Sequence, residues 1–230
     1  MEAEPVLTPR VAICLHGFLR TGAAMLPMAY RLKSAGYIEV ICPTFQLALG
    51  PIERHGERAA RLIAELSERN DGVQVDVVTH SMGGLVFRAS LAHDPPINRV
   101  VMLAPPNKGA EAANKVRQWL PLHLTGWDPL APLLPNSTEN LPTPPKSVEF
   151  GILTGGVGSE AGYSSLLTGD NDGKVRVDEA RLEGARDFRV VPYHHTLIMA
   201  WDDVFRLVLC FFRHGTFENP QPTLPDDAEE

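Results

Sequence analysis

Between Val75 and Leu91 the sequence changes its period within two residues. Val75-Asp76-Val77-Val78-Thr79-His80 is a β-branched run of strand length, Ser81-Met82-Gly83-Gly84 reads as a turn, and Leu85-Val86-Phe87-Arg88-Ala89-Ser90-Leu91 forms helix at once. Strand, sharp turn and helix in that order restrict the chain to folds in which a strand feeds a helix packed on its own sheet. The order also presents Ser81 at the tip of the turn, with the N–H groups of a helix start behind it. Small residues at Gly83 and Gly84 let strand and helix approach closely. This is the context of a nucleophilic serine in a G-x-S-x-G elbow, although Thr79 replaces the first glycine. An ordinary βα turn with Ser81 capping the helix satisfies the same string.

The chain on either side repeats the strand–helix rhythm. Val11-Ala12-Ile13-Cys14-Leu15 is a continuous apolar run, as in a parallel strand buried on both faces, and it ends in His16-Gly17-Phe18. Helical spacing over 23–35 stops at Gly36, a strand over 37–42 stops at Pro43, and an amphipathic helix over 52–69 buries Leu62, Ile63 and Leu66. After the elbow helix a strand over 99–104 closes at Pro105-Pro106. This β-α-β-α-β-α-β alternation predicts an α/β fold with a compact, mostly parallel, doubly wound sheet and helices on both faces. In such sheets the site lies at the carboxyl ends of the strands. His16-Gly17-Phe18, Ser81 and Pro105-Pro106-Asn107 should therefore converge on one edge.

The rhythm breaks over 107–146. A helix is possible over 111–120, but Pro121, Pro129, Pro132, Pro135, Pro142, Pro144 and Pro145 forbid long regular structure beyond it. Trp119, Leu120, Leu122, Leu124, Trp127, Leu130, Leu133 and Leu134 nevertheless make the stretch apolar. Such an insertion at the active edge is either a lid or acyl-binding cap, or a loop packed down on the core. Strands over 147–153 and 188–192, renewed order at Val175-Arg176-Val177 and a closing helix over 201–212 complete a single domain spanning 1–215. The acidic, Pro-rich stretch 216–230 reads as a disordered tail.

Of the 230 residues, 44% are hydrophobic and 21% charged, as in an ordinary globular protein, and the net charge of −7 gives no reason to expect a nucleic-acid partner. Three cysteines are too few for a disulfide framework, and Cys14 and Cys42 read as buried thiols. The start lacks a basic segment followed by an apolar one, and no apolar run reaches membrane-spanning length, so a cytoplasmic protein without stable membrane insertion is expected. Metal-ligand spacing is absent, because the cysteines are isolated and adjacent His194 and His195 point apart.

A serine nucleophile needs a base, an acid to orient that base, and donors for the oxyanion. After Ser81 the sequence offers Asp172 in the Gly-flanked turn Asp170-Asn171-Asp172-Gly173, and His195 just past the last strand. Asp170 is the rival acid and His194 the rival base. His16 and His80 flank the site, where loop-bracing hydrogen bonds suit them better than catalysis, and Asp76 reads as a polar residue at the start of its strand.

At this point the sequence resembles the small bacterial lipases and esterases of the α/β-hydrolase superfamily, similar to the compact Bacillus lipases. Three blocks carry the resemblance: His16-Gly17-Phe18, the elbow from Val75 to Gly84, and Arg181-Leu182-Glu183-Gly184-Ala185-Arg186, similar to the family's link between acid and histidine. The resemblance implies Ser81, Asp172 and His195 as catalytic residues, with the backbone N–H groups of Phe18 and Met82 as oxyanion donors. The position of both donors relative to strand and nucleophile implies the same. His16, Gly17, Trp119, Trp127, Leu130 and Leu133 are the candidate substrate-binding residues. The expected activity is serine ester hydrolysis of short- to medium-chain acyl esters through an acyl-enzyme, with no cofactor and no metal. A lipase for long-chain acylglycerols, a thioesterase or an acyltransferase would use the same machinery, and a non-catalytic hydrolase-fold binding protein is the alternative from another class.

Overall fold

The computed structural model describes residues 9–45, 49–120, 122–125 and 128–218. Six strands form one sheet: β1 (Val11–Leu15), β2 (Glu39–Ile41), β3 (Val75–His80), β4 (Ile97–Leu103), β5 (Glu149–Gly155) and β6 (Asp187–Val191). Their order is β2-β1-β3-β4-β5-β6 and every pairing is parallel. All carboxyl ends therefore share one edge. The order reverses between β1 and β3, which is where such sheets open a crevice.

Alternation along the strands divides the interior in two. Val11, Ile13 and Leu15 of β1 and Val75 and Val77 of β3 join one apolar cluster, while Ala12, Cys14 and Val78 join the other. The first cluster is covered by α2 (Ile52–Glu68) and α3 (Gly83–Ser90), with Ala59, Ile63 and Leu66 recurring at helical spacing. The second is covered by α1 (Leu26–Ser34) and α6 (Asp202–His214), the latter through Val204, Val208, Phe211 and Phe212. Acidic residues open α6, basic residues close it, and Gly215 at φ 76° ends it. Helices thus lie on both faces of a parallel sheet.

The amino edge is tied by a buried polar cluster. Asp76 accepts hydrogen bonds from Arg10 at 2.6 Å, Tyr37 at 2.6 Å and Asn98 at 2.7 Å. Burial raises its pKa against the pull of Arg10, and burial likewise raises that of Tyr37.

Two sequence expectations change: the helix expected over 23–35 begins as a 3-10 turn over Gly22–Met25, and the strand over 37–42 shortens to the edge strand β2. The renewed order at Val175-Arg176-Val177 takes the form of a turn. There the Asp172 carboxylate takes the Lys174 and Val175 N–H groups at 2.9 and 2.8 Å, which holds the backbone in place. Among the described residues of the insertion, regular structure is limited to α4 (Glu111–Trp119), a single turn α5 (Pro135–Thr138) and short 3-10 turns, as its prolines require. Residues 219–230 of the expected tail lie outside the described residues.

Candidate active site

Ser81 stands immediately past β3 at φ 54°, a left-handed backbone that costs a non-glycine residue about 1–3 kcal/mol. Its N–H extends the sheet ladder to the Leu103 carbonyl at 2.8 Å, and its carbonyl accepts from Gly84 N–H at 2.9 Å. The close approach needs glycines. A Cβ on Gly83 would lie 2.4 Å from the Leu15 carbonyl oxygen, and one on Gly17 would lie 2.9 Å from Ser81 Cβ. Thr79 fits where a glycine usually stands because Gly84, opposite it, has no side chain: a Cβ there would meet Thr79 Oγ1 at 3.4 Å and Pro105 Cβ at 2.9 Å.

From the far side of the edge, His195 reaches Asp172. His195 Nδ1 lies 2.7 Å from Asp172 Oδ2, and His195 N–H donates to the Asp172 carbonyl at 2.9 Å. The carboxylate is 0% exposed. In the neutral ring, a hydrogen on Nδ1 directed at the carboxylate leaves Nε2 as the nitrogen able to accept a proton. His80 braces the same loop by donating from Nε2 to the His195 carbonyl at 2.9 Å. Burial, then His195, Arg20 and Lys174, push the His80 pKa well below its ordinary value, so the ring is neutral.

Both rival residues are engaged elsewhere. Asp170 accepts from the N–H groups of Val157 and Gly158 at 2.8 and 2.9 Å. His194 packs against Tyr163, with ring centroids 4.8 Å apart.

Ser81 and His195 line one cavity of about 390 Å³. Gly17, Trp119, Leu130 and Leu133, named from the sequence as substrate-binding candidates, line it too, together with Phe18, Ala113, Val116 and Leu167. Trp119 is 73% exposed, so its indole forms the rim. Trp127 lies outside the described residues. His16 requires a correction, since it is fully buried and does not line the cavity. Its Nε2 accepts from Phe45 N–H at 2.9 Å, which leaves Nδ1 to donate to the Gly17 carbonyl at 2.8 Å. It braces the loop after β1 and cannot reach a substrate. The N–H groups of Phe18 and Met82 have no hydrogen-bond acceptor among the described residues.

Sequence reasoning missed Arg88. It is 3% exposed, and its guanidinium donates to the carbonyls of Asn107, Thr138, Leu141 and Pro142 at 2.9, 3.0, 2.7 and 3.0 Å. Burial lowers its pKa to about 10. The helix that starts at the elbow therefore clamps both ends of the insertion. The available signal was the segment around it, which is apolar on every face and so buried. Arg20, Lys115 and Lys174, also overlooked, line the cavity without any carboxylate among its described walls.

Residues 53–137 match the model of a family described as Domain of unknown function (DUF7379). No curated protein matches the sequence. Among solved structures, the chain is similar to the mature form of the Bacillus licheniformis lipase BlEst2, with TM-score 0.69 and 22% identity over 93% of this chain and 96% of that one. For the propeptide form of the same lipase the TM-score is 0.73 at 22% identity, over 96% of this chain but 55% of that one, so the chain spans about half of that form's length. The metagenomic carboxyl esterase MGS0156 follows at TM-score 0.59 and 18% identity, over 84% of this chain and 68% of that one. The protein therefore has the α/β-hydrolase fold. Its compact form is like that of the Bacillus lipase.

Proposed function

We propose that the protein is a serine ester hydrolase that works through an acyl-enzyme. The observation that carries this reading is Ser81, held at φ 54° and facing the same cavity as His195, whose Nδ1 is bonded at 2.7 Å to a fully buried Asp172. His195 Nε2 takes the Ser81 hydroxyl proton as Oγ attacks the ester carbonyl carbon. The oxyanion that forms is held by the N–H groups of Phe18 and Met82. His195 then gives the proton to the leaving alcohol as the C–O bond breaks. Water, deprotonated by the same nitrogen, attacks the acyl-enzyme and releases the carboxylic acid and free Ser81. Asp172 keeps the tautomer and supports the transient imidazolium. Thioesters enter the same cycle with a thiol as leaving group.

The apolar wall built by Ala113, Val116, Leu130 and Leu133 suits an acyl chain, and a cavity of about 390 Å³ favours short to medium chains. Each further methylene gains about 0.8 kcal/mol only while it finds wall to cover. Hydrolysis of p-nitrophenyl butyrate by wild type and by Ser81→Ala tests the reading. A loss of at least about 10³-fold in kcat is expected for the variant, and undiminished hydrolysis by folded Ser81→Ala would refute it.

A further inference from the structure

The cavity at Ser81 carries a charge pattern opposite to that of the chain. The protein has a net charge of −7, yet the only charged side chains among the described cavity walls are cations: Arg20, Lys115 and Lys174. Lys115 is already neutralised, because its Nζ meets the Glu111 carboxylate at 2.6 Å and also donates to the Leu166 carbonyl. Arg20 and Lys174 have no carboxylate partner among the described residues. They come from different loops, Arg20 three residues past Gly17 and Lys174 two residues past Asp172. The Lys174 N–H donates to Asp172 Oδ1 at 2.9 Å, so its backbone is fixed while its exposed side chain lines the mouth. Nearby carboxylates are committed: Asp172 to His195, Asp170 to the turn at Val157, and Glu111 to Lys115 and Arg176.

The leaving group departs towards the imidazole that protonates it. Lys174 lies two residues past Asp172, which is bonded to that imidazole, and both Arg20 and Lys174 act electrostatically on His80, whose ring centroid is 4.9 Å from that of His195. Ala113 and Val116 of α4, with Leu130 and Leu133, supply the apolar wall. Resting on the ester-hydrolase reading above, we infer that Arg20 and Lys174 form an anion subsite for the leaving group, and that the preferred substrates are acyl esters of alcohols bearing a phosphate or carboxylate. An apolar acyl wall and a cationic exit then select the two halves of one substrate. Charge at the mouth also draws such substrates in, an effect that salt screens.

The test compares kcat/KM for two matched pairs at low ionic strength: butyryl glycerol 3-phosphate against butyryl glycerol, and the butyryl ester of 4-hydroxybutanoate against that of 4-hydroxybutanamide. Ser81 labelling by a neutral alkyl fluorophosphonate is measured on the same preparations. The anionic ester of at least one pair should be favoured about tenfold, equivalent to about 1.4 kcal/mol. A preference in both pairs assigns the subsite to negative charge in general, and one confined to the first assigns it to phosphate. In Arg20→Gln/Lys174→Gln the ratio should fall towards one, and in Arg20→Glu/Lys174→Glu it should invert. Equal kcat/KM within both pairs, with Ser81 labelled normally, would overturn the subsite and leave the hydrolase reading standing. Failure to label Ser81 in folded protein would overturn the hydrolase reading, and the subsite with it.

Discussion

At the scale of single residues, activation of Ser81 depends on which histidine and which aspartate face it. Adjacent candidates could not be separated by local pattern, because Asp170 and Asp172 share one polar turn and His194 and His195 share one loop. Resemblance to the Bacillus lipases selected Asp172 and His195, and the structure shows what occupies the other two: the glycine turn at Val157 for Asp170, and the Tyr163 ring for His194. His195→Ala should therefore lose several orders of magnitude in kcat, while His194→Ala keeps most of its activity. The opposite ranking in folded variants would exchange the roles. Asp172→Asn should lower kcat by about 10⁴-fold, because an amide presents an N–H donor that turns the imidazole to the wrong tautomer. For His16 the loop-bracing hydrogen bonds expected from its neighbours are the ones it makes, while its place among the substrate-binding candidates is not kept. A histidine after a strand in His-Gly-Phe has the same local signature whether it faces a ligand or two backbone groups, and only the distant Phe45 N–H settles it.

At the scale of elements, strands and helices were legible because their periods are strong, whereas the insertion was not. Its prolines announce irregularity without saying what covers its leucines. The structure divides them: Leu133 belongs to the apolar core and Leu130 packs against it, while Leu124 and Trp119 are exposed. Arg88 holds the stretch down by donating to four backbone carbonyls, so Arg88→Leu should destabilise the protein by about 3 kcal/mol or more in urea unfolding, through buried carbonyls left unpaired. An unchanged midpoint would show that the clamp contributes nothing. On the wall itself, Leu130→Ala should move the optimum of kcat/KM across a p-nitrophenyl ester series to longer chains, and an unchanged profile would remove Leu130 from the acyl pocket. The first turn of α4 responds to acid. The Glu111 carboxylate is held down to about 2, by Lys115 first and then by Thr168 and Arg176. That contribution is fully present above the ordinary value near 4.5 and is lost as pH falls towards about 2. Glu111→Gln should thus cost at most about 1 kcal/mol at pH 7, since the group is partly exposed, and the gap from wild type should narrow on acidification. A gap that widens in acid would contradict the assignment.

At the scale of the whole molecule, a parallel sheet with a single reversal of strand order brings together segments from four parts of the sequence. The loop after β1 supplies Phe18 and Arg20, the β3–α3 turn Ser81 and Met82, the insertion the apolar wall, and the loops around β6 Asp172, Lys174 and His195. Sequence showed the edge on which they meet, because the carboxyl ends of parallel strands must coincide. It could not show the charge of the cavity, since Arg20 and Lys174 are unremarkable in a chain where most such residues are on the surface. If Ser81, within this assembly, is an activated nucleophile, intact-protein and peptide mass spectrometry after treatment with a neutral alkyl fluorophosphonate will reveal it. One adduct is expected, on Ser81, absent in Ser81→Ala and strongly slowed in His195→Ala. An adduct on another residue, or none on the folded wild-type protein, would contradict it.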